Sequence, residues 1–286
     1  MLRWTRNALL CLVAALALGW AALRLSTNPS HARTWRTEQR VLPRVALTDS
    51  VVTVRNVRDF TFRTATDFTP GYRDRRYDLR KIERVWFVLS PFNPDWRGPA
   101  HSFLSFSFSD SQYVSVSVEA RREADEDYSV WMGALRQYEL MYVIGEERDV
   151  IGLRAVTWND PVYLYPVRAT PEQARALFVS MMRRAQALER RPDFYNTFTN
   201  NCTTNILDPV NEMRTEPIRF GMDVLLPGYS DELAYRHGLI DTELPLEQAR
   251  ERFRINERAQ AAAGRPDFSA RIRMIEKKPA SPAAAR

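Results

Sequence analysis

One of the two cysteines in this chain lies where an activated thiol would be expected. Cys202 stands in the segment NNCTTNILDPVN, surrounded by Asn and Thr residues, which commonly begin helices. A thiol in the first turn of a helix meets free backbone N–H groups that favour the thiolate and can stabilise a developing oxyanion. These residue types therefore indicate nucleophilic chemistry at a carbonyl, with Asn201 and Thr203 as further candidate site residues.

Two other interpretations of this segment stay open. Pro209 interrupts a regular helix, so Asp208 could instead cap a second helix that begins at the proline. Cys202 could also be a small buried residue at a helix start, without a chemical role. Against this, the other cysteine, Cys11, lies in an apolar N-terminal segment, which leaves one unpaired thiol in the rest of the chain.

A thiol nucleophile needs a base, and the chain has three histidines from which to supply it. His101 opens the segment HSFLSFSFS, in which polar and apolar residues alternate, and YVSVSVEA repeats the alternation. His31 lies in a polar stretch with the composition of a linker, and His237 precedes a glycine at a predicted helix end. The pattern therefore predicts a β-hairpin that carries the candidate base at one end.

The register of this hairpin decides which side chain faces the histidine. Placing both apolar sets on one side requires odd-numbered residues opposite odd-numbered residues. A loop at Ser109–Ser111 places Glu119 directly opposite His101, and a loop at Asp110–Gln112 places it diagonally. In either register the carboxylate would orient the imidazole and stabilise its protonated form. We take Glu119 as the third catalytic residue and Ser117 as the second choice; a solvent-facing hairpin with an incidental His and Glu stays the alternative.

The elements that must position these residues form a strand-rich first half and a helical second half. Thr170 as N-cap, Pro171 at the first position and Gln173 in a capping box predict a helix that ends at Pro192. A further helix begins at 246. Apolar segments predict strands at residues 45–65, 85–92, 100–123, 138–156 and 161–167. We therefore expect an α+β domain with an antiparallel sheet packed on helices.

The N-terminus predicts one transmembrane helix. The basic residues of MLRWTR precede an uncharged run at 7–23, near the lower length limit for crossing a bilayer, and Arg24 closes it. No small-x-small cleavage site follows, which favours an uncleaved anchor over a removed signal. We expect a single-pass anchor in a bacterial inner membrane, with the remaining chain in the periplasm. The predicted organisation is an anchor or signal at 1–25, a linker at 26–44, one domain at 45–245, a helix at 246–264 and a disordered tail at 265–286.

Composition and motifs narrow the function classes. The net charge of +6 is spread over 41 basic and 35 acidic residues, which fits a surface near anionic lipid and gives no support for a nucleic-acid partner. No C-x-x-C, Walker A or G-x-G-x-x-G motif is present, so zinc-finger, P-loop and Rossmann classes lack support. We expect neither a metal nor a cofactor; the oligomeric state stays open.

Several linked segments resemble a known family. FLSFSFSDSQYVSVSVEARRE, YELMYVIGEERDVIGLR and FYNTFTNNCTTNI are similar to the periplasmic domain of the bacterial lipoprotein N-acyltransferases called Lnb, earlier a domain of unknown function. The similarity covers residues 50 to 240, approximately. The chain also resembles the circularly permuted papain-like proteins of the NlpC/P60 group in the order of three features. These are a histidine on a strand, a polar residue on the next strand, and NC at the start of a helix.

The resemblance implies acyl transfer through a cysteine thioester, with a membrane phospholipid as donor and the N-terminal amine of a lipoprotein as acceptor. It supports Cys202 as nucleophile and His101 as general base. No further hydrophobic span is visible after the domain, whereas the family's acyltransferase carries a C-terminal membrane part, and this difference leaves the substrate open. A thiol peptidase or amidase acting on cell-wall peptide and a non-catalytic anchored scaffold stay the alternatives.

Overall fold

The computed structural model describes residues 4, 7, 10–15, 18–19, 28–93, 95–219 and 221–274. The chain divides into two compact units, Met1–Arg33 and Thr34–Arg286. Most of the predicted anchor at 1–25 lies outside the described residues. Within the part of the chain that is described, no helix is both long and apolar enough to cross a membrane.

A large sheet organises the second unit. The strands are β1 Arg44–Leu47, β2 Val51–Arg58, β3 Thr61–Phe62, β4 Phe68–Thr69, β5 Tyr72–Asp78, β6 Ile82–Pro91, β7 Ala100–Phe108, β8 Tyr113–Arg121, β9 Glu139–Gly145 and β10 Tyr163–Pro166. The sheet follows the order β1-β2-β9-β8-β7-β6-β10, β5 pairs with β2, and β3 and β4 form a separate hairpin. The described pairings are antiparallel except for a short parallel contact of β2 with β9.

Helices cover both faces of this sheet. They are α1 Val130–Ala134, α2 Glu147–Gly152, α3 Pro171–Arg190, α4 Thr204–Glu212, α5 Met222–Leu225, α6 Ser230–Arg236, α7 Leu246–Phe253, α8 Asn256–Ala261 and α9 Phe268–Arg271. A π-helical turn at Leu153–Thr157 follows α2 directly, and 3-10 turns lie at Thr37–Gln39, Leu79–Lys81 and Pro227–Tyr229. The architecture confirms the prediction of an α+β fold with a mostly antiparallel sheet packed on helices.

The longest helix, α3, forms as its sequence predicts. The Thr170 N–H donates to Gln173 Oε1, the Gln173 N–H donates to the Thr170 hydroxyl, and Pro171 takes the first helical position. Each fully buried Leu or Phe contributes about 1.5–3 kcal/mol to the stability of the folded state. The face that packs on the even-numbered side chains of β7 and β8 consists of Ala174, Leu177, Phe178, Met181, Ala185 and Leu188.

The opposite face of the hairpin is buried as well, which rules out the solvent-facing alternative. A second apolar cluster that includes Phe103 and Ile151 lies there, beneath α2, the π-helical turn, α8 and α9. Ser105 is hydrogen-bonded to Glu147, and Arg273 donates to both oxygens of that carboxylate, at 2.6 and 2.7 Å. The polar residues of β7 can be buried because charged groups of the covering helices satisfy their hydrogen bonds.

One predicted strand is partly helical. The strand predicted at 138–156 ends at Gly145, and α2 with the π-helical turn follows it. The buried residues of this second part, Val150, Ile151 and Ala155, recur at helical rather than alternating spacing. A short apolar segment cannot be assigned to strand or helix by hydrophobicity alone. The packing of this segment against the sheet therefore determines that it is helical.

The second unit also extends beyond the predicted domain boundaries at both ends. In the predicted linker, Trp35 and Gln39 are buried, and Gln39 Nε2 donates to the Ala120 carbonyl at 2.9 Å. The helix predicted at 246–264 is divided between α7 and α8, because Arg254 adopts an extended backbone conformation. The predicted tail begins later than 265, since Phe268 and Ile272 are buried; residues 275–286 lie outside the described residues.

Candidate active site

The hairpin of β7 and β8 opens at the end that carries the candidate base. The strands pair over residues 104–107 and 113–116, in the register predicted for a Ser109–Ser111 loop. Beyond Leu104, β7 keeps its pairing with β6 while β8 continues along β9. The edge of β7 around His101 is therefore available for contacts with another segment.

His101 lies in this opening against a serine and a carboxylate of β8. Its Nε2 is 2.6 Å from Ser117 Oγ and 3.1 Å from Glu119 Oε1, and the Ser117 hydroxyl donates to Glu119 Oε1 at 2.7 Å. The residue predicted as third member and the second choice thus both contact the imidazole. With Nε2 facing these oxygens, Nδ1 is left for the thiol of Cys202, which lies close enough to the ring for each group to shift the pKa of the other.

The charges in this opening favour an imidazolium beside a carboxylate. Burial and the nearby charge of Arg154 lower the pKa of His101, but the negative charge of Glu119 and the interactions of the ring with Cys202 and Glu119 together outweigh them, and the pKa is raised above its ordinary value. Burial raises the pKa of Glu119, yet the charge of His101 and its hydrogen bond hold that pKa well below the usual range. Glu119 is therefore ionised at neutral pH and can orient the imidazole.

The turn that carries Cys202 is held together by the asparagines around it. Asn201 Oδ1 accepts hydrogen bonds from the N–H groups of Thr203 and Thr204 at 2.9 and 3.0 Å, and so caps α4. Asn205 Nδ2 donates to the Asn201 carbonyl at 2.9 Å. The polar residues around the thiol thus satisfy the backbone of a buried turn, which explains why a buried cysteine has such neighbours.

Cys202 lies in the turn directly before this helix, two residues ahead of its first residue, Thr204, and not in its first turn as the sequence predicted. Pro209 lies inside α4, so the interpretation in which Asp208 caps a second helix is wrong. The proline removes one helical hydrogen bond, that to the Asn205 carbonyl. The helix ends at Glu212, less than one turn later, so few further bonds depend on that position.

Two donors of β7 join the histidine in stabilising the thiolate. Burial raises the pKa of Cys202, but the hydrogen bond and charge of His101 and the N–H and hydroxyl of Ser102 outweigh it and lower the pKa from 9.0 to about 7. The Ser102 hydroxyl is 3.4 Å from that of Thr203, whose Oγ1 is 3.9 Å from Cys202 Sγ. The lowered pKa makes the thiolate accessible near neutral pH.

The donors available for an oxyanion differ from those that the sequence suggested. The N–H groups of Thr203 and Thr204 are occupied by the Asn201 side chain. Within the described residues, the backbone N–H of Cys202 itself has no hydrogen-bond acceptor. This single N–H is the helix-start donor that remains for a negative charge developing beside the sulfur.

Two residues near the thiol were not singled out from the sequence. Ser102 is a polar residue on the otherwise apolar even-numbered face of β7, and this exception to the alternation was a signal that could have found it. Arg154 belongs to the π-helical turn, and its charge acts on Glu119 and Cys202. Since its segment was predicted as a strand, no local pattern connected it with the hairpin.

An apolar pocket begins beside the thiol. Ser102 and Thr203 form its polar end, and apart from Ser230 the rest of the wall is aliphatic and aromatic, including Leu104, Leu207 and Ala234. Its volume is about 90 Å³. A larger groove of about 770 Å³ lies by the β3–β4 hairpin and is lined by none of the predicted site residues. Among the described residues, no group of three or more His, Cys, Asp or Glu side chains is arranged to hold a metal ion.

Comparison with known proteins adds one finding. A family model described as the Lnb N-terminal periplasmic domain matches residues 68–224, a span that contains His101, Ser117, Glu119 and Cys202. No curated protein matches the chain, and no solved structure does.

Proposed function

Because this chain belongs to the Lnb N-terminal periplasmic domain family, we propose that it is a periplasmic acyltransferase that works through a thioester on Cys202. The proposed donor is a membrane phospholipid, and the proposed acceptor is the N-terminal amine of a lipoprotein. The order of His101, Glu119 and Cys202 along the chain supports a circularly permuted papain-like class. The segment at 1–25 would act as a single-pass inner-membrane anchor that keeps the domain beside its lipid and raises the effective lipid concentration.

In the first step the thiolate is acylated. His101 accepts the proton of Cys202, and Sγ attacks the carbonyl carbon of the acyl ester. As the C–S bond forms, the carbonyl oxygen takes the negative charge and is stabilised by the Cys202 N–H. When the intermediate collapses, the C–O bond breaks and the imidazolium returns its proton to the alcohol oxygen of the lysophospholipid.

In the second step the acyl group leaves the sulfur. His101, neutral after the first step, accepts a proton from the attacking amine while the amine nitrogen bonds to the thioester carbon. The C–S bond breaks, and the thiolate is left beside the imidazolium. Glu119 holds the ring in position in both steps and stabilises its charged form, and Ser117 contributes a second oxygen at Nε2.

The apolar pocket beside the thiol is the observation that carries the proposal. A peptidase needs polar contacts for a peptide backbone, whereas this wall is aliphatic and aromatic apart from Ser102, Thr203 and Ser230, and the Ser230 hydroxyl already donates to the Pro227 carbonyl. Ser102 and Thr203 lie next to the thiol, so we propose that an acyl chain occupies the pocket with its carbonyl end towards Cys202. The volume of about 90 Å³ is small for a whole acyl chain, so we expect the wall formed by α4 and α6 to move on binding.

A membrane substrate also accounts for apolar side chains exposed next to the site. Trp131 is 72% exposed, and Met132, Leu135 and Phe198 are exposed as well. Tyr128, which precedes them in the chain, has its hydroxyl 3.4 Å from that of Tyr195. Burial raises the pKa of both hydroxyls, and both lie close enough to Cys202 for a charge there to raise their pKa values further. Large apolar and Trp side chains of this kind bury themselves in the interface of a bilayer.

The first experiment looks for the thioester. The full chain is incubated with vesicles that contain a phospholipid with labelled acyl chains, and the protein is analysed by mass spectrometry. We expect a hydroxylamine-sensitive acyl group on Cys202 and none on Cys202→Ala. Release of cell-wall peptide fragments without acyl loading would support the amidase alternative. Full cellular function of Cys202→Ser would support the scaffold and overturn an enzymatic role.

The second experiment tests the pocket. Ala234→Phe adds a ring to the pocket wall, and Ala261→Phe adds the same ring at an exposed position of α8 as the matched control. We expect Ala234→Phe to lower the loading rate for long acyl chains by about 10-fold or more relative to short ones, since overpacking costs about 1–3 kcal/mol. Equal losses for all chain lengths would contradict an acyl pocket.

A further inference from the structure

Arg154 is a buried arginine whose guanidinium lacks some of its hydrogen-bond acceptors. Its side chain is only 8% exposed, and its closest acid, Asp160, lies 3.9 Å from Nη1, beyond hydrogen-bonding distance. Within the described residues, Nη1 is buried without any hydrogen-bond partner. A buried cationic donor left unsatisfied costs free energy, so a ligand that accepts its hydrogen bonds gains affinity at this position.

The surroundings of Arg154 are shaped for a ligand. The guanidinium lies 5.0 Å from the ring centre of Trp158 and 5.9 Å from that of Phe92, and both rings are partly exposed. The residue belongs to the π-helical turn at Leu153–Thr157, and such turns are frequent at functional sites. The rings limit the positions of the guanidinium and leave its edge for hydrogen bonds.

A second pocket lies at this guanidinium, on the Glu119 side of the imidazole. Its volume is about 70 Å³, more than the roughly 30 Å³ that one water occupies, so a compact group of several atoms fits. The charged residues of its wall are Glu38, Arg58, Glu119, Arg122 and Arg154. Glu119 is balanced by His101, Arg58 by Asp149, and Glu38 by Arg36, whose Nη1 is 4.0 Å from its carboxylate, so Arg154 and Arg122 determine the charge that the pocket presents.

We infer that this pocket is a phosphate subsite, in which Arg154, assisted by Arg122, binds a phosphate oxyanion beside the thiol. A guanidinium edge with free N–H donors matches two phosphate oxygens, and its bidentate contact distinguishes phosphate from uncharged groups. The inference deepens the proposed function and rests on it for one source of the phosphate, the headgroup of the acyl donor. Free phosphate has the same chemistry, and the two sources are separated below.

The first test measures binding without catalysis. In the full chain with Cys11→Ser, Cys202 is the only thiol, and its alkylation by iodoacetamide at pH 7 is followed while inorganic phosphate replaces chloride at constant ionic strength. We expect a saturable decrease in rate, because a bound anion near Arg154 disfavours the thiolate. Arg154→Met should lose the saturable decrease, and Arg55→Met, at an exposed position on β2, should keep it. A saturable decrease that persists in Arg154→Met would overturn the inference.

The second test identifies the source. Acyl loading of Cys202 is compared for a phospholipid and for a diacylglycerol with the same acyl chains. We expect Arg154→Met to reduce the preference for phospholipid by about 10- to 100-fold. Arg154→Lys keeps the positive charge but loses the paired N–H donors of the guanidinium, so it should retain part of the preference. Phosphate binding without headgroup preference would assign the subsite to free phosphate.

The two tests also separate this inference from the proposed function. If neither lipid loads Cys202, the proposed function fails, while the alkylation result still decides whether the anion binds. If Arg154 serves only to adjust Glu119, Arg154→Met changes the pH profile of alkylation but neither its phosphate dependence nor the headgroup preference. Melting temperatures of the variants show whether any loss reflects unfolding.

Discussion

Two arginines with largely buried side chains line the same pocket but have opposite surroundings. Arg58 donates to both carboxylate oxygens of Asp149, at 3.0 and 2.7 Å, and to the Glu38 carbonyl at 3.3 Å. Arg154, close by in the same pocket wall, has an acid at 3.9 Å and an unsatisfied Nη1. Burial lowers the pKa of both, but Asp149 more than compensates for Arg58, whose pKa is raised, whereas the pKa of Arg154 stays lowered.

The difference separates a structural ion pair from a site that is completed by a ligand. Asp149 also accepts the N–H of Phe60 at 2.8 Å, so the pair joins β2 to α2 and has no capacity left for a substrate. Around Arg154 the nearest carboxylates have other roles, because Glu119 is hydrogen-bonded to His101. The first region should therefore control the free energy of unfolding, and the second should control reactivity.

The largest effect is expected when the structural pair is broken. Asp149→Ala leaves the charge of Arg58 buried without a partner, which should lower the free energy of unfolding by about 3–5 kcal/mol. Urea denaturation of the full chain measures this loss. Arg154→Met, the matched change in the other region, should alter stability by less than about 1 kcal/mol, because it removes a charge that is not paired.

A double substitution serves as the control for that prediction. Arg58→Met with Asp149→Leu replaces the ion pair by apolar groups, and such replacements are often neutral or stabilising. We expect the double variant to be much more stable than Asp149→Ala alone. If the double variant were as unstable as the single one, the loss would come from the shape of the site rather than from an uncompensated charge.

The next effect concerns the carboxylate of the second region. Glu119→Gln removes the charge that raises the pKa of His101, so the imidazolium is lost at lower pH. The thiolate of Cys202 then loses its main stabilising charge, and its pKa should rise from about 7 towards the ordinary value of 9.0. The pH dependence of alkylation by iodoacetamide, with Cys11→Ser, reports the midpoint directly. A midpoint that stays near 7 would show that Ser102 rather than His101 stabilises the thiolate.

A smaller shift is expected from Arg154 itself. Its positive charge opposes the imidazolium, so Arg154→Met should raise the pKa of His101. Because a charge several ångströms away acts through an effective dielectric constant of about 20, the change should be about one pH unit or less. NMR titration of the imidazole in Cys202→Ala protein measures this pKa without interference from the thiol. Arg55→Met, an exposed arginine on β2, should leave it unchanged.

Salt should have the smallest effect and should distinguish the two arginines. Phosphate is attracted to Arg154 by charge, and dissolved salt screens that attraction. The apparent affinity for phosphate in the alkylation test should therefore fall as the NaCl concentration is raised from 50 to 500 mM. The Arg58–Asp149 pair is already formed and buried, so its contribution to stability should change little over the same range. Phosphate binding that does not depend on salt would contradict an electrostatic subsite at Arg154.

Local patterns predicted the parts of the site that depend on neighbouring residues. The alternation of HSFLSFSFS and YVSVSVEA placed His101, Ser117 and Glu119 on one face, and the structure confirms the register of a Ser109–Ser111 loop. Capping residues predicted α3 and the helix start next to Cys202. The segment around Arg154 was assigned incorrectly, because a short apolar segment fits strand and helix alike until its packing is known.

By itself, the sequence determined the residue types of the candidate site and their positions along strands and helices, because alternation and capping act over a few residues. Only the tertiary structure decided that β7 and β8 separate beyond Leu104, that Ser102 donates to the thiol, and that Arg154 is buried with an unsatisfied Nη1. These features depend on burial and on contacts between residues that are up to 101 positions apart, as between Ser102 and Thr203. Such distances leave no trace in local periodicity.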